Sequence, residues 1–157
     1  MQISLLVIGK TDQTDMQRLI DGYSRRLAHY IKFSTVLLPD IKNTAKMSQE
    51  QQKTLEGQIL LKQLKTSDHV ILLDEAGKPY KSVDFAALLQ KKMNSGMKHV
   101  VFIIGGPYGF SPEVYSRANA KVSLSAMTFS HQMIRLFFTE QLYRAFTILN
   151  NEPYHHE

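Results

Sequence analysis

Apolar positions along the chain change period several times, and each change marks an element. Apolar, β-branched runs at Ile3–Ile8, Phe33–Leu38, His69–Leu73 and Val100–Ile104 read as strands, with a weaker one near Lys121–Leu124. Between them the spacing is helical. Met16, Leu19, Ile20, Tyr23, Leu27 and Tyr30 recur every three or four residues, which predicts a helix over about Asp12–Ile31 with one buried stripe. Ser48 followed by Gln51 has the form of a capping box and opens a helix to about Lys65, with Leu55, Ile59 and Leu64 on its inner side. Another helix begins at Ser82. The run Ser111, Pro112, Glu113 is a strong start signal, because serine caps, proline suits the first helical position and the carboxylate meets the positive dipole end. A last helix covers about His131–Leu149.

Strand and helix alternate five times. The pattern predicts a single α/β domain over residues 1–157, with a mostly parallel sheet flanked by helices. Ligands bind such sheets beyond the carboxyl ends of the strands, which directs attention to Asp74–Lys81, Gly105–Phe110 and Ser125–Ser130. The last helix breaks the amphipathic rule. Its polar residues, among them Gln132, Arg135, Glu140 and Arg144, scatter among Ile134, Leu136, Phe137, Phe138, Leu142 and Phe146 and leave no broad solvated face. Such a helix lies either in a homodimer interface or at the centre of the core.

Composition narrows the class. The chain has 157 residues, 43% of them hydrophobic and 21% charged, which fits one globular domain. The apolar runs are strand-sized, whereas a membrane span needs about 20 residues, and the amino terminus lacks the basic flank of a signal peptide. A cytoplasmic protein is expected. With Cys 0, disulfides, thiolate metal sites and cysteine nucleophiles are excluded. Lys+Arg 19 against Asp+Glu 14 leaves a net charge of +5, and the excess lies in the first 65 residues, which carry 10 basic and 6 acidic groups. Both a solvated basic face and an RNA-binding face account for it.

Familiar motifs fail one by one. Gly9, Lys10 and Thr11 follow a strand, but a phosphate-binding loop requires glycine where Ser4 stands. Gly105, Gly106 and Gly109 sit between a strand and a capped helix without the dinucleotide spacing, and Pro107 removes an amide donor. What remains is a turn suited either to close approach of a ligand or to tight chain reversal. Asp40 reads as a surface carboxylate. His131, Tyr154, His155 and His156 gather proton-handling groups near the carboxyl end without a zinc spacing, and no metal site is expected. Ser123, Ser125 and Ser130 lack a nucleophile elbow.

Taken together, the ordered set resembles the RlmH family of the SPOUT superfamily. It comprises Val7–Lys10, Tyr23–Leu27, Leu72–Asp74 with Gly77–Pro79, Ile104–Pro107 with Gly109, Leu124–Phe129 with His131, Glu140 with Leu142–Ala145, and the ending Pro153, Tyr154, His155. The resemblance implies an S-adenosylmethionine-dependent methyltransferase acting on N3 of a pseudouridine in large-subunit ribosomal RNA. It also implies a carboxyl-terminal trefoil knot and a homodimer. Cofactor positions carried over are Leu73, Gly105, Gly106, Leu124, Ser125, Ala126, Met127, Thr128 and Phe129. Tyr154 and His155 are the implied proton-handling groups, with His131 behind them; Arg25, Arg26 and His156 are assigned to RNA. Where some members end in Tyr-His-Arg-Glu, this chain has His156 before Glu157 and lacks the guanidinium. The competing reading is a catalytically silent RNA-binding domain with a vestigial pocket.

Overall fold

The computed structural model of the chain describes residues 1–156; Glu157 lies outside the described residues. The strands are β1 (Gln2–Ile8), β2 (Lys32–Leu38), β3 (His69–Pro79), β4 (His99–Ile104) and β5 (Ala120–Ser123). The helices are α1 (Thr14–Leu27), α2 (Gln49–Gln63), α3 (Ser82–Asn94), α4 (Pro112–Arg117) and α5 (His131–Leu149), with a short 3-10 turn at Thr44–Lys46. The capping box of α2 forms, with Ser48 accepting from the Gln51 amide and the Gln51 side chain accepting from the Ser48 amide. Ser111 and Ser130 cap α4 and α5 through the Val114 and Met133 amides.

Every strand pair is parallel, in the order β2-β1-β4-β3-β5. Both sheet faces are covered, which explains why the strands read as apolar runs. On one face Ile3, Leu5, Val7, Ile71, Phe102 and Ile104 pack under α1, α3 and α5. On the other Leu6, Ile8, Val70, Leu72, Val101 and Ile103 meet α2 and α4. The inner side of α2 is not the expected one. Glu56, Gly57 and Leu60 are buried, while Leu55, Ile59 and Leu64 are only half-buried. Gly57 is the cause: a Cβ there would lie 2.4 Å from the Ser111 hydroxyl, so its bare backbone draws α2 onto the start of α4.

Helix α5 takes the central position. It packs against α1 and α3 above the sheet, and the Phe138 ring meets Phe102 at a tilt of 48° with centroids 4.7 Å apart. Its apolar circumference is largely consumed within the chain, with Phe138 and Leu142 fully buried.

Strand β3 runs six residues past its expected end at Leu73, and this extension shapes the molecule. Ile71–Leu73 lie opposite Ala120–Val122, and Lys78–Pro79 lie opposite Val122–Ser123. Val122 therefore has two partners, Leu73 and Lys78, and a strand residue offers one ladder edge to each neighbour. The two stretches flank β5, and Asp74–Gly77 crosses it from one edge to the other. Gly77 marks the crossing, since a Cβ there would fall 2.7 Å from the Val122 backbone. The carboxyl-terminal strand is thus enclosed by the β3 chain, the kind of threading that the resemblance implies.

Candidate active site

The Leu73–Glu75 stretch inside β3 and the loops that leave the carboxyl ends of β4 and β5 meet around a cleft of about 690 Å³, a volume typical of small-molecule sites. Leu73, Ile104, Leu124 and Ile134 supply apolar wall; Asp74, Glu75, Thr128 and His131 supply polar groups. The loops are latched to one another. Tyr115 donates its hydroxyl to Asp74 at 2.5 Å, and Thr128 donates to Glu75 at 2.9 Å, tying the loop after β5 to the crossing segment of β3. Burial and the bond to Asp74 push the Tyr115 phenol up to about 12, so it stays a donor. Within the third loop, Ser125 accepts from the Met127 amide and its carbonyl receives the Ser123 hydroxyl.

The glycine turn is closed by the Gly109 amide donating to the Gly106 carbonyl at 3.2 Å, with Gly109 at φ 81. Each glycine has its own reason. A Cβ on Gly105 would press on the Phe110 ring at 3.2 Å, so the position presents bare backbone at the cleft. At Gly106 the obstacle lies behind the turn: a Cβ would fall 2.2 Å from Glu56, whose side chain is buried and has Oε2 unpaired. Glu56 keeps one bond, from the Gln52 side-chain amide at 3.0 Å, and burial pushes its carboxyl above the usual range.

Of the nine positions carried over for the cofactor, Leu73, Gly105, Gly106, Leu124, Ser125, Met127, Thr128 and Phe129 line the cleft, and Ala126 does not. Met127 is 73% exposed, so in a single chain it forms an open rim rather than a wall. Glu75 and Tyr108 fall within the stretches singled out in the sequence, whereas Tyr115 on α4 and Ile134 on α5 were missed. Their membership depends on the threading and on the latches, neither of which leaves a periodic signal.

The three proton-handling candidates do not meet within one chain. His131 opens α5 and lines the cleft. Tyr154 instead folds back on the middle of α5, where it donates to Glu140 at 2.9 Å and packs edge-on against Tyr143. Glu140 lies nine residues along the helix from His131, a rise of roughly 13 Å. The Arg144 guanidinium sits over the Tyr154 ring at 4.7 Å and contacts His155 Nδ1 at 3.3 Å. Burial, reinforced by hydrogen bonds with Tyr23 and Glu140, pushes the Tyr154 phenol well above the ordinary tyrosine range.

Arg25 and Arg26 are exposed at the end of α1, and Arg26 lies 5.7 Å from the Tyr23 ring and 5.8 Å from the Tyr143 ring. His156 is exposed. Beside this aromatic and basic cluster runs a second groove of about 630 Å³, lined by Leu19, Tyr23, Leu136, Phe137, Glu140 and Arg144. Ser123, Leu124, Ser125 and Phe129 line both groove and cleft, so the two are adjacent. Among the described residues there is no group of three or more metal-ligating side chains, and no helix is long and apolar enough to cross a membrane.

A parallel sheet with an enclosed carboxyl-terminal strand and a cleft built from the enclosing loops defines an α/β protein of the SPOUT methyltransferase class. A family model described as "Predicted SPOUT methyltransferase" matches residues 1–155, and the chain belongs to that family. It is 60% identical over 157 residues to a Flavobacterium johnsoniae protein named ribosomal RNA large subunit methyltransferase H, with both chains covered completely. Proteins of the same name from Porphyromonas gingivalis and Bacteroides thetaiotaomicron are 57% and 51% identical, again over the full length of both chains. A Legionella pneumophila structure, assigned as a methyltransferase and solved in complex with SAM, shares the fold at TM-score 0.50 and 14% identity. That likeness covers 92% of this chain and 66% of the other.

Proposed function

We propose that this protein is an S-adenosylmethionine-dependent methyltransferase that modifies N3 of a pseudouridine in large-subunit ribosomal RNA, acting as a homodimer in the cytoplasm. The observation that carries the reading is the convergence of Leu73, Gly105 and the Leu124–Phe129 loop on one cleft. The cleft suits the cofactor. Leu73, Ile104 and Leu124 form a dry slot for a flat adenine, and the side-chain-free backbone at Gly105 can bond its polar edge. Asp74 and Glu75 give the mouth a negative bias that favours a sulfonium. When bound, the cofactor supplies an activated methyl group with its own leaving group.

The protein has to place the acceptor nitrogen in line and take its proton. His131 is the proton acceptor available in the cleft of its own chain. Tyr154, held neutral, turns its one O–H from Glu140 to the developing anion, with His155 beside it. The groove supports the dimer: Leu19, Leu136 and Phe137 give it an apolar wall, it adjoins the cleft, and a second copy seated in it would carry the partner subunit's Tyr154 and the partner subunit's His155 towards the cleft. Arg25, Arg26 and His156 hold the RNA backbone through salt-sensitive contacts.

Calorimetry with S-adenosylmethionine tests the cofactor, and its failure leaves the silent RNA-binding domain. Mixed dimers test the shared site. One protomer lacks Tyr154–Glu157, and the other carries Gly105→Val, which blocks its cleft. Turnover in the mixture, with none from either parent, is expected if the tail works across the interface; a silent mixture assigns the tail to its own chain.

A further inference from the structure

We propose that Tyr108 is a stacking platform for a pyrimidine base turned out of the RNA into the mouth of the cleft, an inference that rests on the RNA-methyltransferase reading above. Four large side chains at the cleft are notably exposed: Tyr108 at 42%, Tyr115 at 40%, Met127 at 73% and Phe129 at 39%. Three of them are committed or unsuited. Tyr115 has its hydroxyl on Asp74, its ring against Phe110 at 5.7 Å, and the Lys121 ammonium 5.4 Å from its ring centroid. Phe129 packs edge-on against Phe137 at 5.1 Å, and Met127 has no ring. Among the described residues Tyr108 has no aromatic, cationic or hydrogen-bond partner for its side chain.

Its pedestal is stiff. Pro107 fixes the preceding backbone angle, the Gly106–Gly109 bridge closes the turn, and Gly106 is wedged against Glu56. Backbone entropy is therefore spent before any ligand arrives, and only two side-chain torsions remain to be ordered on stacking. The chemistry supplies the need. N3 lies on the pairing edge of a pyrimidine, so the base must leave its stack to reach the cleft, and an unstacked base seeks a π-face. Aromatic platforms serve this purpose in single-stranded RNA recognition irrespective of base identity.

The test uses large ribosomal subunits from cells lacking this methylation. Tyr108→Ala is expected to raise KM for subunits roughly 10- to 100-fold, with kcat changed far less and S-adenosylmethionine affinity unaltered in calorimetry. Tyr108→Phe restores KM relative to alanine, since the ring and not the hydroxyl is at work. A second readout is independent of turnover. The chain contains no tryptophan, so Tyr108→Trp creates its one indole, excited selectively near the red edge of tyrosine absorption, whose emission is quenched as subunits saturate the protein. A wild-type kcat/KM in Tyr108→Ala, a phenylalanine variant as impaired as alanine, or unquenched tryptophan at saturation each overturns the inference. Wild-type protein that binds neither cofactor nor subunits overturns the underlying reading instead.

Discussion

Replacing Gly77 by alanine adds one methyl group at the point where the β3 chain crosses β5. That methyl would stand 2.7 Å from both N and C of Val122 and 2.8 Å from C of Lys121. Unstrained carbon contacts lie at about 3.5–4.0 Å, so the crossing has to open by roughly 1 Å. A side chain could swing away, but these atoms are main chain and are paired on both edges of β5. Overpacking typically costs about 1–3 kcal/mol, and a backbone obstacle puts Gly77→Ala at the upper end. At about 2–4 °C per kcal/mol for a chain of this size, Tm falls by roughly 6–12 °C. Gly22→Ala is the control. Gly22 lies inside α1 with nothing within 4 Å of its would-be Cβ, so the same change there should gain about 0.5–1 kcal/mol from helix propensity. Urea unfolding of both variants at one fixed protomer concentration measures the pair. A Gly77→Ala protein within about 0.5 kcal/mol of wild type would refute the close crossing of Gly77 over the Lys121–Val122 backbone.

Three further outcomes are expected. Leu19→Asp or Phe137→Asp, on the groove, should give folded monomers in sedimentation, whereas Phe138→Asp should fail to fold because that ring is fully buried in a single chain. Arg135→Met should lower stability by about 1–3 kcal/mol in urea, because its buried guanidinium donates to the Ile8 and Gly9 carbonyls at 2.7 and 2.8 Å and secures the start of α5 to β1. Burial, then Lys92 and Arg117, hold the His69 imidazole below its ordinary 6.5. The unfolded chain then binds the proton first, so this contribution is intact above pH 6.5 and is lost as pH falls through the window below it. His69→Gln should flatten that acid limb in urea titrations; an unchanged limb assigns it to other groups.

The apolar runs of the strands, the span of α5 and the cleft loops after β4 and β5 were legible because each rests on local signals: an apolar run, a capping serine, a glycine cluster. The extension of β3 was not. Asp74–Pro79 is polar and contains glycine and proline, so it reads as a loop, and only pairing with β5 some forty residues later makes it strand. Reading Leu55, Ile59 and Leu64 as the inner face of α2 failed for a related reason, since close contact at Gly57 overrode periodicity. The uniform apolarity of α5 fitted two arrangements. Its place between α1 and α3 bears out the core-helix arrangement.

The enclosure of β5 also constrains how the polypeptide is made and handled. Synthesis at about 5–20 residues per second leaves several seconds between the emergence of Lys78 and that of Ala120, ample for the encircling segment to assemble first. The remaining chain must then pass that segment end first. In this sequence eight residues follow α5. A bulky domain fused after residue 157 would act as a stopper on a thread, so reporter and affinity fusions belong at the amino terminus, where no passage is required.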